Sequence, residues 1–142
     1  SPNFSLAQIN LAAYKTIIQQ ALAPFKAFSI NFSGITLSSS GVVAKGYDQE
    51  GTLNEIRDAL RTAFKSTDLA QTIDKRYVLK AAHSTLLRFK EPLKNKDLFV
   101  DFLMHHQSTE FGSTKIKTID LVFNDWYMKT GNVKILKKYQ LQ

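Results

Sequence analysis

Residues 82–89, AHSTLLRF, are the stretch that most strongly constrains this chain. Side chains alternate between the two faces of a strand, so a strand here places His83 and Thr85 on one face, about 7 Å apart along the backbone. This spacing suits a group with phosphate or ester oxygens, with the imidazole at one oxygen and the hydroxyl at another. Histidine is also the side chain best suited to proton transfer near neutral pH. We therefore interpret His83 and Thr85 as candidate catalytic residues.

The composition describes a globular protein with a basic surface. The chain has 142 residues, enough for one domain with a real core, so residues 1–142 are predicted to form a single domain. No apolar run approaches the roughly 18–20 residues that span a bilayer, so no membrane segment is predicted. The chain has no cysteine, which excludes disulfides, thiolate catalysis and Cys-ligated zinc and favours the cytoplasm. The net charge of +7 fits an anionic partner such as a nucleotide or RNA, and a basic surface that only keeps the protein soluble explains it equally well.

Residue periodicity predicts an alternation of helices and strands. Apolar spacing and helix caps predict three helices, over Ser5–Leu22, over Leu53–Lys65 and from a cap at Asn95 or Asp97 to about His106. Strand patterns are found over Phe28–Ser33, Val42–Gly46, Tyr77–Phe89, Lys115–Phe123 and Val133–Leu136. In the third helix, the residues expected to face inward are Leu98, Phe99, Phe102 and Leu103. The fold class that follows is α+β, with antiparallel pairing of the hairpin type.

The stretch from His83 to Arg88 resembles a known family signature. His-Ser-Thr-Leu-Leu-Arg is similar to the second motif of the two-histidine phosphoesterases, the superfamily of 2′-5′ RNA ligase-like proteins and cyclic phosphodiesterases. Their motif is His-x-Thr/Ser, often extended by Leu-x-Arg, and this sequence matches the extended form. The order of predicted elements over residues 25–142 also resembles the family. The resemblance implies a two-lobed fold of antiparallel sheets with flanking helices, and one motif in each lobe.

The resemblance also implies a chemistry. The family would hydrolyse 2′,3′-cyclic or 2′-5′ phosphodiesters of nucleotides or RNA, with one histidine activating the attacking oxygen and the other protonating the leaving oxygen. The hydroxyl residues would hold the non-bridging phosphate oxygens, and neither a metal nor another cofactor is expected. His83 and Thr85 would then be catalytic, and Arg88, Trp126 and Tyr127 would bind substrate.

The substrate-binding candidates each have a competing structural role. In a regular strand Arg88 falls on the face opposite His83, where a structural ion pair is the favoured interpretation. Trp126 and Tyr127 would stack on a base, or would be core aromatics. His83 itself would be a buried histidine with a backbone partner if the resemblance did not apply.

The chain departs from the family pattern upstream. No His-x-Thr precedes His83, and the closest triplet, Gly34-Ile35-Thr36, keeps the hydroxyl without the histidine. The family's first strand and motif are thus predicted to be absent, through truncation or in a one-histidine relative, unless a partner chain supplies them. His105 and His106 come too late and at a helix end, so His106-Gln107-Ser108 is not expected to replace the first motif.

Three function classes therefore stay open. The first is a metal-independent phosphodiesterase that acts by histidine acid–base catalysis. The second is a catalytically disabled relative that binds RNA or a nucleotide, and the third is an interaction module that keeps only the fold. The sequence leaves the oligomeric state undetermined.

Overall fold

The elements of this chain alternate as the α+β prediction requires. The computed structural model describes residues 9–38, 40–69, 81–124 and 130–142. Within them the helices are α1 (Leu11–Leu22), α2 (Thr52–Lys65) and α3 (Lys96–His105), with a short 3₁₀ helix at Thr130–Asn132. The strands are β1 (Phe28–Ser38), β2 (Gly41–Tyr47), β3 (Ala82–Arg88), β4 (Glu110–Ile116), β5 (Thr118–Phe123) and β6 (Lys134–Gln140). All the described strand pairings are antiparallel, which confirms the predicted class.

The described elements divide into two compact units. Strands β1–β4 and helix α3 form one unit, whose sheet has the order β3-β2-β1-β4. Helices α1 and α2 and the two-stranded sheet β5-β6 form the other. The division agrees with the two-lobed fold that the resemblance implies.

Helix α3 packs on one face of the four-stranded sheet. Ile35 of β1, Val42 of β2 and Leu103 of α3 are buried together, with Phe89 and Phe99 packed against them. Because side chains alternate along a strand, the residues on either side of Ile35 and Val42 lie on the opposite face of the sheet. That opposite face carries the buried Val43 together with polar residues such as Thr36 and Lys45.

The other unit has its own apolar core between its helices and β6. Its buried residues are Ile18, Leu22, Ile56, Phe64, Tyr139 and Leu141. Tyr14 of α1 lies against Phe64 of α2, with ring centroids 5.6 Å apart. Gln142 closes this unit by backbone hydrogen bonds with Phe25 and Ala27.

Tyr139 joins β6 to α1 and gives a test of this core. Its side chain is 1% exposed, and its hydroxyl donates to the backbone oxygen of Lys15 at 3.3 Å. Burial raises the pKa of the Tyr139 hydroxyl. Tyr139→Phe keeps the ring and removes one long hydrogen bond, so we expect a loss of about 0.5–1 kcal/mol in the free energy of unfolding, measured with urea. Tyr47→Phe, at a ring 48% exposed, is the control and should change it little. A similar loss in the two variants would contradict the role given to the Tyr139 hydroxyl.

Helix α1 begins later than the sequence predicts. Asn10 is its N-cap and accepts a hydrogen bond from the backbone N–H of Ala13, so α1 begins at Leu11. Asparagine is a strong cap, because its side chain satisfies an N–H left without a partner in the first turn. The predicted helix start at Ser5 is therefore wrong for residues 9 and 10, which precede the helix. Residues 5–8 lie outside the described ones. The end at Leu22 is confirmed.

The strand predicted over Lys115–Phe123 is wrong as a single element. The chain passes Lys117 between β4 and β5, and these strands belong to different sheets. The backbone oxygen of Lys117 accepts a hydrogen bond from Leu141. Strand alternation continues through the change of sheet, so a periodicity search cannot detect it.

Two further predictions need correction. Strand β3 begins at Ala82, since Ala81 is not in a strand and residues 77–80 lie outside the described ones. In α3, Leu103 is buried as predicted, but Leu98 is 67% and Phe102 53% exposed. The helix therefore turns a narrower apolar stripe toward the sheet than its composition indicates.

Candidate functional site

His83 and Thr85 lie on one face at the edge of the four-stranded sheet. In the ladder with β2, His83 is opposite Lys45 and Thr85 is opposite Val43. Directly opposed residues of an antiparallel pair share a face, and Lys45 and Val43 are two residues apart on one strand. We call this side of the sheet the site face. It is the side opposite the one on which α3 packs.

His83 is an exposed histidine. Every residue of β3 from His83 to Arg88 is exposed. The alternative of a buried histidine held by a backbone partner does not apply. Both His83 and Thr85 are therefore accessible to a ligand, although their catalytic roles stay a prediction.

A β-bulge in β3 changes the position of Arg88. Thr85 pairs with Val43 and Leu87 pairs with Val42, so one extra residue, Leu86, is accommodated on β3. The extra residue shifts the alternation by one.

This shift corrects the expected orientation of Arg88. Arg88 pairs with Gly41, which shares the face of Val43, so Arg88 lies on the site face with His83 and Thr85. In the part of the chain that the structure describes, Arg88 makes no ion pair, so the expected structural ion pair is wrong as well.

The site face continues across β2. Lys45 and Tyr47 alternate with the buried residue Ala44 and so lie on the site face. The stem of Lys45 reaches toward β1, since a Cβ built on Gly34 would lie 3.0 Å from Lys45 Cε. Tyr47 is 48% exposed. The face thus presents an imidazole, a hydroxyl, two cations and an aromatic ring within two neighbouring strands.

Hydrogen-bonded side chains occupy the far side of the site face, on β1 and β4. Ser33 Oγ donates to Glu110 Oε1 at 2.8 Å, and Asn31 Nδ2 donates to Glu110 Oε2 at 3.4 Å. Ser113 Oγ donates to Asn31 Oδ1 at 3.0 Å. These bonds agree with the ladder, in which Asn31 is opposite Ser113 and Ser33 is opposite Glu110. The Glu110 carboxylate is therefore held in place from both oxygens.

The other two histidines lie at the end of α3. His105 Nδ1 is 2.7 Å from the backbone oxygen of Asp101, and His106 Nδ1 is 3.0 Å from Thr109 Oγ1. The His106 ring also packs on Phe102, with centroids 4.5 Å apart. These contacts belong to a helix C-terminus and the turn after it, so His106-Gln107-Ser108 is not a strand motif.

The triplet Gly34-Ile35-Thr36 is a structural feature of β1. Gly34 has φ +71° and lies at an irregularity in the ladder between Phe32 and Ile35. A Cβ at Gly34 would lie 2.0 Å from the backbone oxygen of Gln107. A histidine cannot occupy this position, so the triplet is not a modified form of the first motif.

Trp126 and Tyr127 lie outside the described ranges, so their predicted role of stacking on a base stays a prediction.

Among the described residues, no three His, Cys, Asp or Glu side chains are grouped so that they could hold a metal ion. No described helix is both long and apolar enough to cross a bilayer.

Sequence reasoning missed Lys45, Tyr47 and Glu110 as site residues. The signal for the first two was available, because Lys45 and Tyr47 alternate with the apolar or small residues Val42, Ala44 and Gly46. The pairing of Glu110 with β1 was not available, because β4 was not predicted to begin there.

Comparison with known proteins identifies the family. The sequence model of the AKAP7 2′5′ RNA ligase-like domain matches residues 5–141. A search of curated proteins finds no match. The family match covers nearly all of the 142 residues and agrees with the described fold and with the motif strand. The chain therefore belongs to the AKAP7 2′5′ RNA ligase-like domain family, within the two-histidine phosphoesterase superfamily that its motif predicts.

Proposed function

We propose that the site face binds and hydrolyses 2′,3′-cyclic or 2′-5′-linked phosphodiesters of nucleotides or RNA. The observation that carries the proposal is the presence of His83, Thr85 and Arg88 on one exposed face of β3. Family membership supports the substrate class. The basic charge of the chain supports an anionic substrate.

Each of the three side chains has a distinct role in the proposal. His83 takes a proton from the attacking water or gives one to the leaving oxygen of the phosphodiester. Thr85 donates its hydroxyl hydrogen to a non-bridging oxygen, and the guanidinium of Arg88 balances the charge of the phosphate group in the transition state. The bulge at Leu86 is what allows the third group to act beside the first two.

A second proton-transfer group must come from elsewhere, because one imidazole cannot act as acid and base in the same step. His105 is the last residue of α3 and His106 is its C-cap, and neither lies on the site face. The second proton-transfer group of the proposal is therefore neither of these two imidazoles.

The alternative is a disabled relative, which keeps the phosphate-binding groups of the site face. The sequence contains one His-x-Thr, at residues 83–85, where the catalytic scheme of the superfamily uses two motifs. A chain that keeps Thr85 and Arg88 without a second histidine would bind a nucleotide phosphate and release it unchanged. An interaction module that keeps only the fold would show neither property.

Hydrolysis in the presence of a chelator tests the proposal. The protein is incubated with 2′,3′-cyclic nucleotides and with a 2′-5′-linked dinucleotide, with and without EDTA, and the products are separated by chromatography. We expect turnover that EDTA does not reduce, because the proposed proton transfers and charge stabilisation come from side chains. A 3′-5′-linked dinucleotide is the matched control and should stay intact.

The outcomes separate the alternatives. Turnover that EDTA abolishes and a divalent cation restores would contradict the metal-free scheme. Salt-sensitive nucleotide binding without turnover would favour the disabled relative.

We also propose a cytoplasmic location, on the basis of the absent cysteines and an intracellular RNA or nucleotide substrate.

A further inference from the structure

Tyr47 is placed to contact the base of a nucleotide whose phosphate is at His83. Lys45 is directly opposite His83 in the ladder, and Tyr47 is two residues beyond Lys45 on the same face. Such diagonal cross-strand neighbours are about 7–8 Å apart, within reach of an aromatic side chain. A nucleotide spans this distance from its phosphate to its base. Tyr47 is 48% exposed, so its side chain is accessible to a ligand.

Glu110 provides a fixed hydrogen-bond acceptor on β4, diagonal to Tyr47 across β1. Asn31 is directly opposite Tyr47 on β1, and its amide donates to Glu110 Oε2 at 3.4 Å. Ser33 Oγ donates to the other carboxylate oxygen at 2.8 Å. An ionised carboxylate has about four acceptor sites, so two stay free to accept hydrogen bonds from a ligand.

Charge is ordered across the site face in a way that orients a nucleotide. His83 and Arg88 are on β3, and Glu110 is on β4, about 14 Å from β3 at a spacing of about 4.8 Å per strand. A phosphate is attracted to the β3 side and repelled by Glu110. The base of the same molecule is therefore directed toward β1 and β4.

We infer that Tyr47 and Glu110 form a nucleobase subsite on the site face, in which Tyr47 stacks on the base and Glu110 selects guanine. The guanine edge carries two adjacent donors, N1–H and the N2 amino group, which match the two oxygens of a carboxylate. Adenine places an acceptor at N1, which faces a carboxylate unfavourably. This inference rests on the proposed function for the position of the phosphate.

Binding of product-like nucleotides tests the subsite without requiring turnover. Titration calorimetry compares guanosine 2′-monophosphate, adenosine 2′-monophosphate and ribose 5-phosphate, which has no base. We expect the guanosine nucleotide to bind about tenfold more tightly than the adenosine nucleotide, since hydrogen bonds to a charged acceptor distinguish the two bases. Ribose 5-phosphate should bind more weakly than either.

Variants assign these differences to the two residues. Tyr47→Ala should weaken both nucleotides about tenfold and leave ribose 5-phosphate unchanged, whereas Tyr47→Phe should retain the affinity. Glu110→Gln should remove the preference for guanine, because it weakens the binding of the guanosine nucleotide and removes the unfavourable contact of the carboxylate with adenine N1. Phe102→Ala, at an exposed aromatic residue of α3, is the matched control and should change none of the three affinities.

The results distinguish this inference from the proposed function. Phosphodiester turnover with equal binding of both nucleotides would overturn the guanine subsite and leave the proposed function standing. Guanine preference that Glu110→Gln removes would support the subsite even in a protein without turnover. An equal loss for ribose 5-phosphate in Tyr47→Ala would overturn the stacking role, because it would show a general disturbance of the sheet.

Discussion

Replacement of His83 by alanine is expected to lower kcat for 2′,3′-cyclic nucleotides by about 10²–10⁴-fold, the usual contribution of a general acid or base. The same change should alter the free energy of unfolding by less than about 1 kcal/mol. His83 is exposed on an edge strand, so its removal leaves no buried cavity. Steady-state kinetics and urea unfolding of the same preparation measure the two quantities together.

His105→Ala is the matched control for the loss of an imidazole. His105 is exposed, lies at the end of α3 and has Nδ1 2.7 Å from the backbone oxygen of Asp101. It does not lie on the site face, so kcat should stay near the wild-type value. Equal losses of kcat in the two variants would contradict the assignment of His83. A large loss of stability in His83→Ala, with a parallel loss of activity, would instead give His83 a structural role.

The sequence was sufficient for the elements whose patterns are local. The β1–β2 hairpin and helix α2 follow from residues that are close together in the chain, and both were found. The cap of α3 was predicted to be Asn95 or Asp97, and the structure has Asn95. Helix α2 begins at Thr52, one residue before its predicted start. Local propensity and capping determine such elements, so they can be recognised without the tertiary fold.

Features that depend on pairing between distant residues could not be predicted. The bulge at Leu86 is defined by the register of β3 against β2, which the local sequence Thr-Leu-Leu-Arg does not reveal. Regular alternation gave the wrong face for Arg88 for that reason. The separation of β4 from β5 likewise depends on which sheet each strand joins. The motif identified His83 and Thr85, but the remainder of the site face required the strand order.

Gly34→Ala is expected to lower the free energy of unfolding by about 3–5 kcal/mol, because two costs combine at this position. Gly34 has φ +71°, a conformation that costs an L-residue about 1–2 kcal/mol. In addition, the new Cβ would lie 2.0 Å from the backbone oxygen of Gln107, and a backbone atom cannot move aside as a flexible side chain can. The Gly34 N–H donates to the backbone oxygen of Thr109 at 2.8 Å, so the substitution also disturbs the start of β4.

Two other glycines separate these costs. Gly51 has φ +77° with nothing within 4 Å of a built Cβ, so Gly51→Ala should show the backbone cost alone, about 1–2 kcal/mol. A Cβ built on Gly131 would have no neighbouring heavy atom within 4 Å, and Gly131 has no positive φ. Gly131→Ala should therefore be close to neutral. Urea unfolding of the three variants gives the order directly. If Gly34→Ala were no more destabilising than Gly51→Ala, the turn at Gln107 would have to yield freely. That result would contradict the close contact between Gly34 and the backbone of Gln107.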